Sequence, residues 1–221
     1  MNTIVLYDDS VDIPDGISDL ARFRRWVHSD DFPETGRICF LDGRVWIDMS
    51  KEQVFTHNQL KQEFNLVVGG VVKAERLGRF FPDGLFLTND RAQLACQPDG
   101  TFVSRQTLKS GRVHLVEGEK EGYLELEGTP DMVLEIVSAS SVEKDKETLF
   151  DLYWRAGIPE YWVVDAREDR LEFDIFRHGA GGYAATRKQG GWLKSGILGK
   201  SFRLSRHLDD MGNPEYSLSV R

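Results

Sequence analysis

The sequence predicts an α/β fold of the α+β kind, with helices packed on a mixed sheet, and three observations carry that expectation. A helix-periodic first third gives way to a run of short strands. Met132-Val-Leu-Glu-Ile-Val137 is nearly all apolar, the pattern of a strand buried on both faces. A helical stretch from Ser141 to Ala156 then passes through Gly157 and Pro159 into Tyr161-Trp-Val-Val164, a second buried strand, and such a strand-helix-strand unit closes as a parallel crossover.

The elements follow in order. Ser18-Asp19 opens a short amphipathic helix in which Leu20, Phe23 and Val27 recur at helical spacing, with Arg22, Arg24 and Arg25 between them. Arg37 to Leu41 and Arg44 to Asp48 are joined by Asp42-Gly43, a strong hairpin signal. Ser50 with Gln53 has the spacing of a capping box for a helix that turns Val54, Leu60, Phe64, Val67 and Val68 toward the core and ends near Gly69-Gly70 or a turn later. Strands are expected at Arg79 to Phe81, Leu85 to Thr88, Thr101 to Ser104 and Arg112 to Val116, and a C-terminal antiparallel elaboration at Leu171 to Arg177, Gly182 to Arg187 and Ser201 to Leu204. The expected organisation is an N-terminal segment over 1–35, a core over 36–177 and a β elaboration over 178–221.

Composition narrows the function. With 28 Lys+Arg against 36 Asp+Glu, a net charge of −8, the chain is no basic nucleic-acid coat. Its 40% hydrophobic content and 21 glycines are those of a folded domain, not of a disordered chain. Cys39 and Cys96 form no CxxC pair and are too few for a disulfide framework, which fits free thiols in a reducing cytoplasm. An acidic N-terminus in place of a signal peptide, and no apolar run of about 18 residues, predict a cytoplasmic protein with no membrane partner. Nucleophile-elbow, phosphate-loop, dinucleotide-binding and HExxH motifs are missing.

The chemistry rests on carboxylates. Glu135 interrupts an apolar strand, so it faces solvent from an edge strand, pairs with a buried Lys or Arg, is protonated, or holds a metal ion. Pro-Asp occurs at Pro14-Asp15, Pro82-Asp83, Pro98-Asp99 and Pro130-Asp131, mostly as turns. Asp99 leads into a strand expected beside Glu135, where two carboxylates can share one hard cation, with Asp83 and Asp131 as further candidates. Lys144 and Lys146 open the next helix and bring a cation within reach. His57 and Glu52 lie at the start of the earlier helix, where Glu52 also suits the helix dipole.

Pro98-Asp99, Leu134-Glu-Ile-Val-Ser138 and the Lys144 helix together resemble the PD-(D/E)XK nuclease superfamily. More narrowly, Gly128-Thr-Pro-Asp-Met-Val-Leu-Glu135, Ser141-Val-Glu-Lys-Asp145 and Leu152-Tyr-Trp-Arg-Ala-Gly-Ile-Pro-Glu-Tyr-Trp162 are similar to a bacterial family of uncharacterised restriction endonucleases, over roughly residues 36 to 177. The resemblance implies a restriction-endonuclease-like αβββαβ core and a site in which Asp99, Glu135 and the main-chain carbonyl of Ile136 ligate Mg²⁺ or Mn²⁺. The superfamily lysine two residues after the acid is Val137 here, and Leu149 stands where relatives carry a helix lysine. Lys144, then Lys146, is the expected replacement.

The expected activity is metal-dependent hydrolysis of DNA phosphodiesters, with Lys144 at the attacking water or oxyanion and His57 or Glu52 aiding from the facing helix. The alternatives are a catalytically silent nuclease fold serving as a DNA-binding or interaction module, and a hydrolase of a smaller phosphate ester. Two basic clusters, Arg22/Arg24/Arg25 and Lys194/Lys200/Arg203/Arg206, make a DNA groove if they flank the site. Tyr153, Trp154, Tyr161 and Trp162 are mostly core, with part of the set available to a homodimer face.

Overall fold

The computed structural model describes residues 13–14, 16–33, 36–118, 122–169 and 171–221; Asp15, of the first Pro-Asp turn, and the acidic run before residue 13 lie outside them. Helix α1 (Leu20–Val27) is capped by the Asp19 carboxylate, which accepts the Arg22 N–H at 2.8 Å. Its apolar face ends on Trp26, not Val27, because the buried set Leu20, Phe23 and Trp26 keeps the three-residue spacing that faces β1 (Arg37–Leu41). Strand β1 turns into β2 (Arg44–Asp48) through Asp42 and Gly43, both at positive φ (48° and 83°), the conformation that suits the right-handed twist of a two-residue hairpin.

The next helix starts later than the capping-box spacing suggests. A wide π-helical turn, Val54–Gln59, precedes α2 (Leu60–Ala74), and Gln53 rather than Ser50 is the cap, its side chain accepting the Thr56 N–H. Ser50 instead bonds across a loop to Ser140 at 2.9 Å. Val54, at 61% exposure, faces solvent because it lies in that first turn, whereas Leu60, Phe64, Val68 and Val72 are buried.

Eight short elements follow: β3 (Gly78–Pro82), β4 (Phe86–Asn89), β5 (Leu94–Cys96), β6 (Gly100–Ser104), α3 (Arg105–Ser110), β7 (Val113–Glu117), β8 (Tyr123–Gly128) and β9 (Met132–Ile136). A second π-helical turn, Lys144–Thr148, runs into α4 (Leu149–Arg155), and β10 (Glu160–Asp165), β11 (Glu172–Gly179), β12 (Gly182–Ala185), β13 (Leu193–Lys194), β14 (Ser201–Leu208) and β15 (Pro214–Val220) complete the chain. Strands β5, β8, β13 and β15 and helix α3 are additions to the sequence reading. Three of these segments are too short, or too mixed in polarity, to show a period of their own, and β15 is paired only by its hairpin with β14.

The central sheet has the order β12-β11-β10-β9-β6-β3, and its heart, α2-β3-β6-β9-α4-β10, is the αβββαβ succession expected from the resemblance. Strands β9 and β10 run parallel, with Glu160 opposite Met132 and Val163 opposite Glu135, as the strand-helix-strand unit requires. A second sheet, β2-β1-β5-β4-β8-β7, is built from the N-terminal hairpin and two insertions, one between β3 and β6 and one between β6 and β9. Period-2 alternation in β9 divides the core. Met132, Leu134 and Ile136 face α2 and the C-terminal strands; Val133 and Val137 face α4 and the second sheet.

The three-stranded sheet β13-β14-β15 packs Phe202, Tyr216 and Leu218 into the α2 side of the core. It is also fastened by a buried carboxylate. Glu160, 2% exposed, accepts from Trp162 Nε1 (3.0 Å), Ser195 Oγ (2.7 Å) and the N–H groups of Gly196 (2.5 Å) and Ile197 (3.3 Å), so four donors from a strand and a loop end on one side chain. Replacing Glu160 by Ala strands those donors, and a loss of about 3 kcal/mol is expected from hydrogen bonds to a charged group. Urea unfolding of Glu160→Ala, with an unchanged midpoint counting against this fastening, checks it.

Candidate active site

The β6–β9 register places the site. Gly100 pairs with Leu134 and Thr101 with Val133, so one step further along the same antiparallel register Asp99 stands across from Glu135. Strand β9 lies inside its sheet, between β10 and β6, which removes the edge-strand reading of Glu135; both carboxylates are 1% exposed. They open into a cleft of about 330 Å³ between the two sheets, which Arg37 at the start of β1, Asp48 at the end of β2, His57 of the first π-helical turn, and Lys144 and Asp145 of the second also line.

Asp99 is surrounded by donors. Its Oδ2 accepts the Ile136 N–H at 2.8 Å, Arg37 Nη1 lies 3.2 Å from Oδ1, and His57 Nε2 is 3.6 Å from Oδ2. Arg37 also bonds Glu52 (2.8 Å) and Asp83 (2.9 Å), and Lys61 bonds the same two carboxylates, reaching Asp83 at 2.7 Å. The Glu52 carboxyl is drawn down to about 2: burial raises it, and the hydrogen bond and charge of Lys61, with His57 and Arg37, outweigh burial.

Glu135 behaves oppositely. Burial pushes its carboxyl well above the usual range, and the neighbouring charges of Asp145 and Asp99 add to that; Lys144 and the Tyr153 hydroxyl, which donates to Glu135 Oε1 at 2.5 Å, pull the other way without cancelling it. Asp145 is raised too, by burial first, although Lys144 Nζ sits 3.2 Å from its Oδ1 and Ser141 donates to its Oδ2. Lys144 stays firmly protonated: burial opposes its charge, and Glu135 and Asp145 more than restore it.

The structure therefore gathers Asp99, Glu135, Ile136, Lys144 and His57 at one cleft. Asp83 is beside it, held by Arg37 and Lys61, and does not line it. Two other candidates are elsewhere. Lys146 points to the far side of its turn, 2.6 Å from Asp165 and 3.5 Å from Glu172, because successive residues of a helical turn face different ways. Asp131 precedes β9 and ties down the α3 region, accepting from Ser104 N–H (2.6 Å), Thr107 Oγ1 (2.8 Å) and Arg112 Nη2 (2.8 Å). Val137 is packed in the core at 1% exposure, and Lys144 brings the cation to the cleft in its place.

No residue of either basic cluster lines the cleft. Arg24 is spent on buried Glu125 (2.7 Å), Lys200 on Glu75 (2.6 Å), and Arg203 lies over the Trp192 ring at 4.8 Å. Of the aromatic set, Tyr153, Tyr161 and Trp162 are core, while Trp154 stacks on His178 within the chain. Arg37, Lys61 and Asp145 were not singled out as site residues from the sequence, and Tyr153 was read only as core. Lys61, four residues after His57 and so on the same helix face, was legible; Arg37 was not, since its contacts are all tertiary.

Whether these residues fit a divalent ion follows from their donors. Among the described residues no three or more His, Cys, Asp or Glu side chains form a ready-made metal cage. Asp99 and Glu135 offer hard oxygens, and a third buried carboxylate, Asp145, lines the same cleft. That suits Mg²⁺ or Mn²⁺, held by one or two carboxylates with water completing the shell, better than Zn²⁺.

Fold and cleft define the chain as a nuclease-fold protein with paired strand carboxylates. The family model described as "Putative restriction endonuclease" (Uma2) matches residues 20–205, and the chain belongs to that family. A solved structure described as a "putative nuclease belonging to DUF820" from Anabaena variabilis is similar in fold: TM-score 0.59, 17% identity, covering 82% of this chain and 90% of that one. None of the curated proteins compared with it matches the chain. Among the described residues no helix is long and apolar enough to cross a membrane.

Two outcomes are expected. Tyr153→Phe removes the donor to Glu135 inside the core and should cost about 1–2 kcal/mol, read by chemical unfolding. Asp165, drawn down to about 2 by Arg167 and Lys146 against burial, has a folded pKa below its ordinary 3.8. Its contribution is therefore complete above pH 3.8 and is lost as pH falls toward 2. The gap in melting temperature between wild type and Asp165→Asn should close over that interval, and a constant gap would contradict the linkage.

Proposed function

We propose that the chain is a metal-dependent endonuclease that hydrolyses DNA phosphodiester bonds in the Asp99/Glu135 cleft. The observation that carries the reading is the pairing of two buried carboxylates across β6 and β9 with Lys144 beside them, in a chain of the restriction-endonuclease family. Asp99, Glu135 and the Ile136 carbonyl would hold Mg²⁺ or Mn²⁺. When bound, the ion supplies Lewis-acid stabilisation of the phosphate and lowers the pKa of water.

The chain's own groups have separable tasks. Arg37 and the Ile136 N–H fix the Asp99 carboxylate, and Tyr153 fixes Glu135, so neither carboxylate must reorient on binding. Lys144 keeps its proton and places positive charge where the phosphate's negative charge grows. His57 steadies Asp99 from the helix side. A homodimer, with two clefts, is the simplest arrangement for cutting both strands of a duplex.

A second reading, a catalytically silent DNA-binding or interaction module, is favoured by two observations: Arg37 and Lys61 already supply positive charge to Asp99, and Val137 replaces the motif lysine. Calorimetric titration of Mn²⁺ and Mg²⁺ beside a plasmid-nicking assay separates the two. Under the nuclease reading, Glu135→Gln and Asp99→Asn lose metal binding and nicking together, while Lys144→Ala keeps metal and loses nicking roughly a hundredfold or more. Wild-type protein that binds metal and nicks equally well in Glu135→Gln would eliminate the assignment.

A further inference from the structure

The catalytic cleft cannot by itself attract a polyanion. Two of its cations are committed, Arg37 to Asp99, Glu52 and Asp83, and Lys144 to Asp145, which leaves Lys51, and the lining carries Asp48, Glu52, Asp99, Glu135 and Asp145. Yet a second cleft, of about 410 Å³, continues from it, and the two share Ser50, Lys51, His57 and Ser138. The character of the lining changes across that boundary. Beyond the shared residues the second cleft adds Gln53, Thr56, Ala139, Ser140, Arg167 and Glu168, so it is lined by hydroxyls and carries two cations against one carboxylate.

Its walls are tied together. Ser50 Oγ and Ser140 Oγ are 2.9 Å apart, Ser140 donates to Asp48 Oδ2 at 2.9 Å, and Ser138 Oγ lies 3.1 Å from Ser140 Oγ, joining the loop after β2 to the loop after β9 where the clefts meet. Lys51 is exposed and, among the described residues, has no carboxylate within ion-pair distance. Gln53 and Thr56 on the same wall mark the start of the long helix, whose N-terminal end carries partial positive charge.

We propose that this second cleft is the DNA track of the protein: it seats the phosphate backbone on one side of the scissile bond, with Lys51 as its principal charge contact, on a wall that the Ser50, Ser138 and Ser140 hydroxyls hold in place through their bonds to one another and to Asp48. The inference rests on the nuclease reading and deepens it. An acidic chain then binds DNA through a local strip with an uncommitted cation running out of an acidic centre, and not through net charge. Arg167, whose guanidinium grips Asp165 through Nε and Nη2 at 2.9 Å each, is committed there and forms the far end of the cleft.

The test uses the full chain and a fluorescein-labelled DNA duplex in EDTA, where metal-dependent cleavage cannot consume the probe, with binding read by anisotropy over a salt series. Lys51→Glu should raise Kd about tenfold and Lys51→Gln less, and each should flatten the slope of log K against log salt by about one phosphate contact. Lys51→Arg should restore both. Arg203→Glu, an equal change of net charge on the tail sheet, should bind as wild type does, and thermal melting confirms that each variant is folded. Unchanged affinity and slope in Lys51→Glu would overturn the track while leaving the nuclease reading to its nicking assay, as would an equal loss in Arg203→Glu. No binding of the duplex by the wild-type chain overturns the track; nicking with Mg²⁺ then shows whether the nuclease reading falls with it.

Discussion

Burying a carboxylate in the middle of a sheet is the constraint on which the rest of this structure depends. Glu135 sits on β9 between two other strands, at 1% exposure, with apolar neighbours on both sides in sequence. A lone ionised group there would cost several kcal/mol. The molecule offsets part of that cost with groups from two other elements: the Tyr153 hydroxyl of α4 and the Lys144 ammonium of the turn before it. The position of α4 over β9 is thus set by polar as well as apolar contact.

The same constraint orders the electrostatics outward from the centre. Nearest the centre, burial and like charge dominate, and the Glu135 and Asp145 carboxyls are raised. Further out, burial still raises Glu52, but Lys61, His57 and Arg37 outweigh it and draw the carboxyl down to about 2. A gradient of this kind gives a site that holds positive charge firmly while remaining acidic in sum. It also accounts for an acidic chain in a restriction-endonuclease family: any bound polyanion would meet the local arrangement of charge, and charge spread over the remaining surface is screened within about 10 Å at ordinary salt.

The core pattern was legible because period and burial are local properties. The apolar run around Glu135, the Asp42-Gly43 turn and the helix that follows Ser140 are each written in consecutive residues, and each formed as expected. What escaped were elements whose identity comes from their neighbours. Strand β5 is three residues long and exists because β1 and β4 pair with it on either side. The two π-helical turns shift the facing of His57, Lys144 and Lys146 relative to a regular helix, which is why spacing did not separate the two lysines.

By itself, the sequence determined that a carboxylate would interrupt an apolar strand, that Asp99 would lead into a short strand, and that a strand-helix-strand unit would follow, since alternation and turn chemistry act over a few residues. Only the tertiary structure decided which charges meet: that Lys144 and not Lys146 enters the cleft, that Asp131 bonds Thr107 and Arg112 elsewhere, and that Arg37, distant in sequence, reaches Asp99 at 3.2 Å. Those outcomes depend on how two sheets pack, and the packing joins side chains whose separation along the chain carries no trace of the contact.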